Sequence, residues 1–211
     1  MAPDFGGCHI TQGSRHSRSF RHRQGHRRRL PNGWNSRLCM RHQRRRLSAA
    51  AAELKGLETG VCNIGDRSEI ERMVADAADR LGGVDVLVNN AGISDPTAPI
   101  RDVDPDQWEH ALQVDLTGTF NVTRNAIPHL IASGKGVIIL MSSAAGRFGY
   151  LNRSPYSTTK WGPIGFMKTL AMELGEYDIR ANAQRRGETV ARLQFTSLTD
   201  IIPVSQRAGT A

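Results

Sequence analysis

Residues 84–92 read VDVLVNNAG and residues 137–143 read VIILMSS, two apolar runs that each end in small polar residues. Valine, leucine or isoleucine fills neighbouring positions within each run, which is typical of a parallel strand buried on both faces. Stretches with apolar residues at helical spacing flank both runs. Strands that alternate with helices predict right-handed crossovers and a parallel sheet. We therefore expect an α/β fold built on a doubly wound parallel sheet.

Three helices are predicted around these strands. The first begins at Asp66, which stands three residues before Glu69 in a capping-box pattern, and ends at Gly82. The second begins at Asp104, where an aspartate precedes a proline, and is longer. The third follows the second strand and covers about residues 155–174. Each helix is long enough to cross one face of the sheet.

The net charge of +8 is distributed unevenly along the 211 residues. Residues 1–46 hold 12 arginines and a single acid, Asp4, whereas the rest of the chain is slightly acidic. The apolar residues of the first segment follow neither a strand nor a helix period, so the segment buries too little apolar area to offset its ordering entropy. We divide the chain into a basic, disordered segment (1–46), an α/β core (47–182) and a tail (183–211).

The basic segment, residues 1–46, admits three interpretations. Dense arginine suits a nucleic-acid-binding arm, but no aromatic residues alternate with the basic ones for base stacking. An arginine-rich and acid-poor composition also suits an organellar transit peptide, but no amphipathic apolar face is visible. The third interpretation is a segment without an evolved function. We therefore do not expect a nucleic-acid partner.

Composition also bears on location and on metal binding. No apolar run approaches the roughly 18 to 20 residues that span a bilayer, and the N-terminus lacks the pattern of a secretory signal. The three cysteines, Cys8, Cys39 and Cys62, have no C-x-x-C spacing, which argues against both a disulfide scaffold and a metal site. We expect a cytoplasmic protein with no metal and no membrane partner.

The motifs that follow the two strands are more specific than the architecture. The first strand leads into the NNAG of residues 89–92, and the second leads into Ser143. Tyr156 lies 13 residues beyond Ser143, and Lys160 lies four further on, in the stretch YSTTK. In this order and spacing, residues 47–182 resemble the short-chain dehydrogenase/reductase family. The resemblance implies a Rossmann-like sheet and an NAD(P)-dependent oxidoreductase that interconverts an alcohol and a ketone.

Four residues are candidates for the chemistry. Tyr156 and Lys160 are four residues apart on one helix, so the ammonium can lie beside the phenol and stabilise its phenolate form. Tyr156 then exchanges a proton with the substrate oxygen, and Ser143 donates a hydrogen bond to the same oxygen. In the family, the lysine also binds the nicotinamide ribose. Asp115 stands where relatives carry an asparagine that takes part in a proton relay.

The resemblance also implies a nicotinamide cofactor, because no side chain supplies a hydride. NAD(H) is favoured and NADP(H) remains open. Relatives form dimers and tetramers, so a homodimer or homotetramer that acts on a small alcohol or ketone is expected. The expected cofactor-binding residues are Asn63, Asn89, Ala91, Gly92, Tyr156 and Lys160.

The sequence departs from the family pattern at both ends. The family opens with a strand, a glycine-rich turn and a helix whose backbone amides bind the cofactor pyrophosphate. No such turn is present, and residues 1–46 stand in its place. After residues 179–182 the expected Pro-Gly pair is also missing, so the sheet is expected to be incomplete at both ends. A catalytically inactive member of the family is therefore the alternative to an active enzyme.

A frameshift accounts for the missing glycine-rich turn. When the codons for residues 21–28 are read one nucleotide later, their third bases permit V-T-G-R-G-I-G, a short form of that turn. The same shift across residues 38–43 permits the end of a family-like second strand. On this hypothesis the basic segment is out-of-frame text, and this chain binds the cofactor weakly.

Overall fold

The computed structural model describes residues 8–13, 34–41, 52, 57–94, 96–134 and 136–185. Six strands form one sheet, and we number them in chain order: β1 Cys8–Gly13, β2 Trp34–Arg41, β3 Leu57–Val61, β4 Val86–Asn89, β5 Val137–Ser142 and β6 Arg180–Arg185. Four longer helices accompany them: α1 Arg67–Leu81, α2 Pro105–Leu112, α3 Gly118–Ser133 and α4 Ser154–Glu173.

The strands follow the order β3-β2-β1-β4-β5-β6, which is the order of the doubly wound dinucleotide-binding fold. The pairs β2–β3, β4–β5 and β5–β6 are parallel. The predicted Rossmann-like α/β fold is therefore confirmed. In such sheets ligands bind at the carboxyl ends of the strands, which here include the residues after β4 and β5.

One strand departs from the parallel arrangement, since β1 runs antiparallel to both β2 and β4. Its last residue, Gly13, pairs with Trp34 at the start of β2, and Cys8 pairs with Asn89 at the end of β4. The connection between β1 and β2 therefore begins and ends at the same edge of the sheet. Such a connection needs no crossover helix, whereas a parallel pair does.

Within the segment predicted to be disordered, the structure describes two strands, β1 and β2. Main-chain hydrogen bonds hold a strand in a sheet whatever its side chains are. The side of β4 that faces away from β5 has backbone donors and acceptors that need partners, and any segment that reaches this side can pair with them. Periodicity is a poor guide to strands held in this way. The rest of the basic segment lies outside the described residues. At the other end, β6 extends through Arg185 and passes the predicted boundary at residue 182.

The helix beginning at Asp66 is confirmed, with a modified cap. The Asp66 carboxylate accepts hydrogen bonds from the backbone nitrogens of Ser68 and Glu69 at 2.8 and 3.0 Å, and the bond from Glu69 is the main cause of a lowered pKa at Asp66. Glu69 bonds the backbone nitrogen of Asn63 at 2.8 Å, rather than that of the capping residue. At the other end, Gly82 has a left-handed φ of 74°, which glycine adopts without strain.

The long second helix is interrupted by one turn of π-helix, Gln113–Thr117, between α2 and α3. Such turns are rare and often occur at functional sites. The next residue, Gly118, packs so closely on Ile64 that a Cβ there would collide with the Ile64 backbone oxygen. This contact fixes the start of α3 against the chain after β3. The π turn and this contact together place Asp115 inside the protein, where it is buried.

Candidate active site

The site is organised around a buried ion pair. The ammonium of Lys160, on α4, lies 3.0 Å from Oδ2 of Asp115, in the π turn. The side chain of Asp115 is 1% exposed and that of Lys160 is 11% exposed. A charged group with so little access to water needs an opposite charge nearby, because the burial of one ion costs roughly several kcal/mol. Each residue therefore supplies the counter-charge of the other.

Further hydrogen bonds hold the Asp115 carboxylate in one orientation. Its Oδ1 accepts from the backbone nitrogen of Ile93 at 2.7 Å, and its Oδ2 accepts from the hydroxyl of Thr159 at 3.1 Å. The backbone oxygen of Asp115 accepts from the hydroxyl of Thr119 at 2.7 Å. The carboxylate thus joins the loop after β4, the π turn and α4 into one rigid unit.

Glycine at position 92 leaves room for this ion pair. A Cβ at Gly92 would lie 3.0 Å from Nζ of Lys160 and 3.1 Å from Oδ2 of Asp115. Any larger residue would press on the ammonium or displace the carboxylate. Gly92 therefore lies directly against Lys160, and the sequence predicts that both residues bind the cofactor.

Tyr156 lies one helical turn before Lys160 on α4 and is half-buried. The ammonium of Lys160 is 5.5 Å from the centroid of the Tyr156 ring, within the range of a cation–π interaction. The guanidinium carbon of Arg153 lies 5.1 Å from the same centroid. The predicted proximity of the lysine ammonium and the tyrosine is therefore confirmed, and a second cation lies beside the ring.

Two serines at the end of β5 have different surroundings. The buried Ser142 donates a hydrogen bond from Oγ to the backbone oxygen of Lys160 at 2.7 Å. A Cβ at Gly146 would collide with these same two atoms, so the end of β5 is tightly packed on α4 at the lysine. Ser143 follows, half-buried, and its Oγ accepts from the backbone nitrogen of Ala145 at 3.3 Å. A single bond of that length leaves the Ser143 hydroxyl hydrogen available for a substrate.

The remaining predicted cofactor residues are placed near the carboxyl ends of β3 and β4. Asn89 is buried, and its amide nitrogen donates to the hydroxyl of Thr123 at 2.9 Å, which ties β4 to α3. Ala91 packs against the hydrophobic core. Asn63 is exposed, and its side-chain oxygen accepts from the backbone nitrogen of Gly65 at 3.0 Å. Contacts of these three residues with a cofactor stay predictions.

Three residues that take part in the site were not predicted from the sequence. Thr159 bonds the Asp115 carboxylate, Ser142 bonds the backbone at Lys160, and Thr123 bonds the amide of Asn89. Serine and threonine are found mostly on exposed surfaces, so their residue type does not indicate that these side chains are buried in the site. The only available sign was position, since Thr159 and Ser142 directly precede predicted catalytic residues.

Other kinds of site find little support in the described residues. Cys62 is buried, and burial together with the carboxylates of Glu69 and Asp66 raises the pKa of its thiol to about 11. The thiol is thus protonated at neutral pH and is a poor nucleophile. Within the described ranges no three His, Cys, Asp or Glu side chains are grouped as metal ligands, and no helix has the length and apolar character needed to cross a membrane.

Comparison with known families identifies the chain. The sequence profile described as short chain dehydrogenase matches residues 27–198, which is well over half of the chain. The chain belongs to the short-chain dehydrogenase family. The match extends beyond residues 47–182 in both directions, into the basic segment and into the tail.

Curated members of the short-chain dehydrogenase family are similar over part of their length. Trans-4-hydroxycyclohexanecarboxylate dehydrogenase of Sinomonas cyclohexanicum is 46% identical over 114 residues, which cover 54% of this chain and 43% of the relative. The 3-oxoacyl-[acyl-carrier-protein] reductase of Thermotoga maritima is 37% identical and covers 67% of this chain and 58% of the relative. The chain spans about half the length of the curated relatives it matches.

Solved structures of short-chain dehydrogenases share the fold. NAD⁺-bound xylitol dehydrogenase superposes with a TM-score of 0.67 at 29% identity, covering 69% of this chain and 58% of the other. A metagenomic short-chain oxidoreductase in complex with NADP has a TM-score of 0.67 at 28% identity, covering 72% of this chain and 70% of the other. Both forms of the nicotinamide cofactor therefore occur among these similar structures.

Proposed function

We propose that this chain transfers a hydride between a nicotinamide dinucleotide and a small alcohol/ketone pair, with Tyr156 as the proton donor or acceptor. The observation that carries the proposal is the Lys160 ammonium, which the buried Asp115 holds beside the Tyr156 ring. A fixed positive charge stabilises the negative charge that develops on a phenol as it gives up its proton. Membership of a family of dehydrogenases and reductases supports the same reaction.

The other proposed roles follow from position. Ser143, at the carboxyl end of β5, donates a hydrogen bond to the substrate oxygen that exchanges a proton with Tyr156. Asp115 acts on the reaction through Lys160, whose position and charge it maintains. Because Asp115 is almost fully buried and its carboxylate bonds to Lys160, Ile93 and Thr159, it is a positioning residue and does not touch the substrate.

The described residues fit one end of the cofactor better than the other. Lys160 and Gly92 would hold the nicotinamide ribose beside Tyr156, and the bound cofactor supplies the hydride. The described residues hold no glycine-rich turn for the pyrophosphate end, and β1 ends at Gly13 on the edge of the sheet opposite the site. No described helix begins after β1 at the carboxyl edge. NAD(H) is the favoured form and NADP(H) remains open.

Removal of the Tyr156 hydroxyl tests the proposed chemistry. We expect Tyr156→Phe to abolish ketone reduction with NADH or NADPH, because general acid–base catalysis contributes roughly a hundredfold to ten-thousandfold. The variant keeps the ring that contacts Lys160 and Arg153, so its circular dichroism spectrum and melting temperature should be unchanged. Steady-state rates on a panel of small ketones, in both directions, give the measurement.

Tyr177 provides a matched control for this substitution. It is an exposed tyrosine beyond the end of α4 and outside the site, so Tyr177→Phe should leave turnover unchanged. Retention of more than a few per cent of the activity in Tyr156→Phe would contradict the assigned role. A chain that turns over no ketone with either cofactor would instead favour the alternative, a catalytically inactive family member.

We further propose that the chain associates with a second copy through α3 and α4. Phe120 on α3 and Trp161 on α4 are 49% and 50% exposed, and the Phe120 ring lies 6.3 Å from that of the half-buried Phe166. Large apolar side chains exposed on two helices favour an interaction site there. A cytoplasmic location stays a prediction, and no comparison supports a nucleic-acid partner.

A charge on this surface tests the association. We expect Trp161→Glu to shift the chain from dimer or tetramer to monomer. The new carboxylate would be buried in the interface without a partner, which opposes association by roughly several kcal/mol. Sedimentation velocity at several protein concentrations measures the change. Phe148→Glu, at an exposed aromatic residue on the loop between β5 and α4, is the control and should sediment as the unmodified chain. A monomeric unmodified chain would contradict the proposal.

A further inference from the structure

An arginine that has no carboxylate partner among the described residues lies against the ring of Tyr156. Arg153 directly precedes α4, and its guanidinium carbon is 5.1 Å from the Tyr156 ring centroid. One of its terminal nitrogens donates to the hydroxyl of Thr97 at 2.5 Å, which is a neutral partner. In the part of the chain that the structure describes, Arg153 forms no ion pair.

The charge around Tyr156 is therefore unbalanced. The second cation on the same ring, Lys160, is neutralised by Asp115 at 3.0 Å, whereas the guanidinium of Arg153 is not neutralised by any described side chain. Arginine stays charged at every accessible pH. The described residues thus leave one positive charge beside the proposed proton donor.

Unpartnered polar atoms gather at the same place. Nε of Arg153 and the hydroxyl oxygens of Ser154 and Ser157 are buried and have no hydrogen-bond partner in the described part of the chain. Buried polar atoms are paired in the great majority of cases, so three exceptions within five residues require an explanation. They lie at the N-terminus of α4, the positive end of the helix dipole, where no side chain caps the helix. All these features favour a negatively charged partner.

We propose that Arg153 binds a carboxylate of the substrate, so that the site takes small hydroxy and oxo carboxylic acids. This inference rests on the proposed function, because it places the carboxylate on the molecule whose oxygen meets Tyr156. The planar guanidinium matches a carboxylate with two parallel hydrogen bonds, which a lysine ammonium does not provide. Its stacking on the Tyr156 ring fixes the distance between the bound carboxylate and the reacting oxygen.

Binding of two unreactive probes tests the proposal without any turnover. Cyclohexanecarboxylate and cyclohexanecarboxamide have the same shape and differ in charge. We expect calorimetry to show tighter binding of the carboxylate to the unmodified chain. Arg153→Gln should weaken that binding by about tenfold to a hundredfold, the effect of a lost charge-assisted hydrogen bond, and should leave the carboxamide unaffected. Arg153→Lys should recover only part of the loss.

Arg147 offers a matched control. Its guanidinium carbon lies 5.4 Å from the ring of the exposed Phe148, so it is also an arginine stacked on an aromatic ring, but one away from Tyr156. Arg147→Gln should bind both probes as the unmodified chain does. Equal binding of carboxylate and carboxamide to the unmodified chain would overturn the proposal, whether or not Arg153→Gln folds. Equal losses in both arginine variants would overturn it too.

A turnover measurement separates this inference from the proposed function. Arg153→Gln should raise the KM for 4-oxocyclohexanecarboxylate by about tenfold or more relative to its effect on the KM for neutral cyclohexanone. Any effect of the lost charge on kcat through Tyr156 should be the same for both ketones, so the carboxylate-dependent loss appears in the ratio of the two KM values. A chain that reduces neither ketone fails the proposed function, while the calorimetric comparison still decides whether Arg153 binds a carboxylate.

Discussion

NADH is expected to bind this chain with a dissociation constant of about 1 mM or weaker. Family members bind the pyrophosphate through backbone amides at a helix N-terminus, and here β1 runs in the opposite direction, from Cys8 at the carboxyl edge to Gly13 at the other. Each charge-assisted hydrogen bond contributes about 1.5 to 3 kcal/mol. Loss of two such bonds weakens binding by roughly a hundredfold to ten-thousandfold.

Calorimetry at physiological ionic strength, about 150 mM, measures this affinity. Binding that remains should fall steeply as salt is added, because salt screens a non-specific attraction between phosphate and an arginine-rich sequence. The matched control is the gene read one nucleotide later across codons 21–28, which permits a glycine-rich turn. That chain should bind NADH far more tightly, with Ser143, Tyr156 and Lys160 unchanged. Micromolar affinity of the present chain would refute the frameshift hypothesis.

Asp115→Ala is expected to lower the free energy of unfolding by about 3 to 5 kcal/mol, the effect of removing one partner from a buried ion pair. The substitution leaves the ammonium of Lys160 largely buried without a counter-charge. It also removes the acceptor of the Ile93 backbone nitrogen and of the Thr159 hydroxyl. Urea unfolding followed by circular dichroism measures the loss.

An exposed ion pair on α1 provides the comparison. Arg80 and Asp76 are 3.0 Å apart, four residues apart on the helix and well exposed, so Asp76→Ala should cost under about 1 kcal/mol. Asp115→Asn keeps the shape of the side chain and an acceptor oxygen, so it should be intermediate. A loss at Asp115 as small as that at Asp76 would show that Lys160 is solvated and that the ion pair does not organise the site.

The motif residues lie where the sequence predicts them, because their positions depend mainly on short-range spacing. Tyr156 and Lys160 are one turn apart on a helix, so their proximity follows from helix geometry alone. The stretches after β4 and β5 are adjacent because both strands are parallel neighbours. The contact between Gly92 and Lys160 is harder to predict, because the two residues are far apart in sequence. The same sheet topology brings them together.

Strand direction at β1 was beyond the reach of the sequence pattern. Residues 8–13 have no strong strand periodicity, and their order in the sheet depends on hydrogen bonds to β2 and β4, which are distant in sequence. A strand held by its neighbours satisfies its backbone equally well in either direction. The sequence therefore predicted disorder where the structure has two paired strands.

By itself the sequence determined the alternation of strands and helices, the caps of α1 and the placing of Tyr156 and Lys160 on one helix face, because these depend on contacts within a few residues. Only the tertiary structure decided the antiparallel direction of β1 and the burial of Asp115 beside the largely buried Lys160. It also decided the position of the Arg153 guanidinium on the Tyr156 ring. Burial, counter-charge and strand direction depend on which distant segments become neighbours, and local spacing carries no information about that.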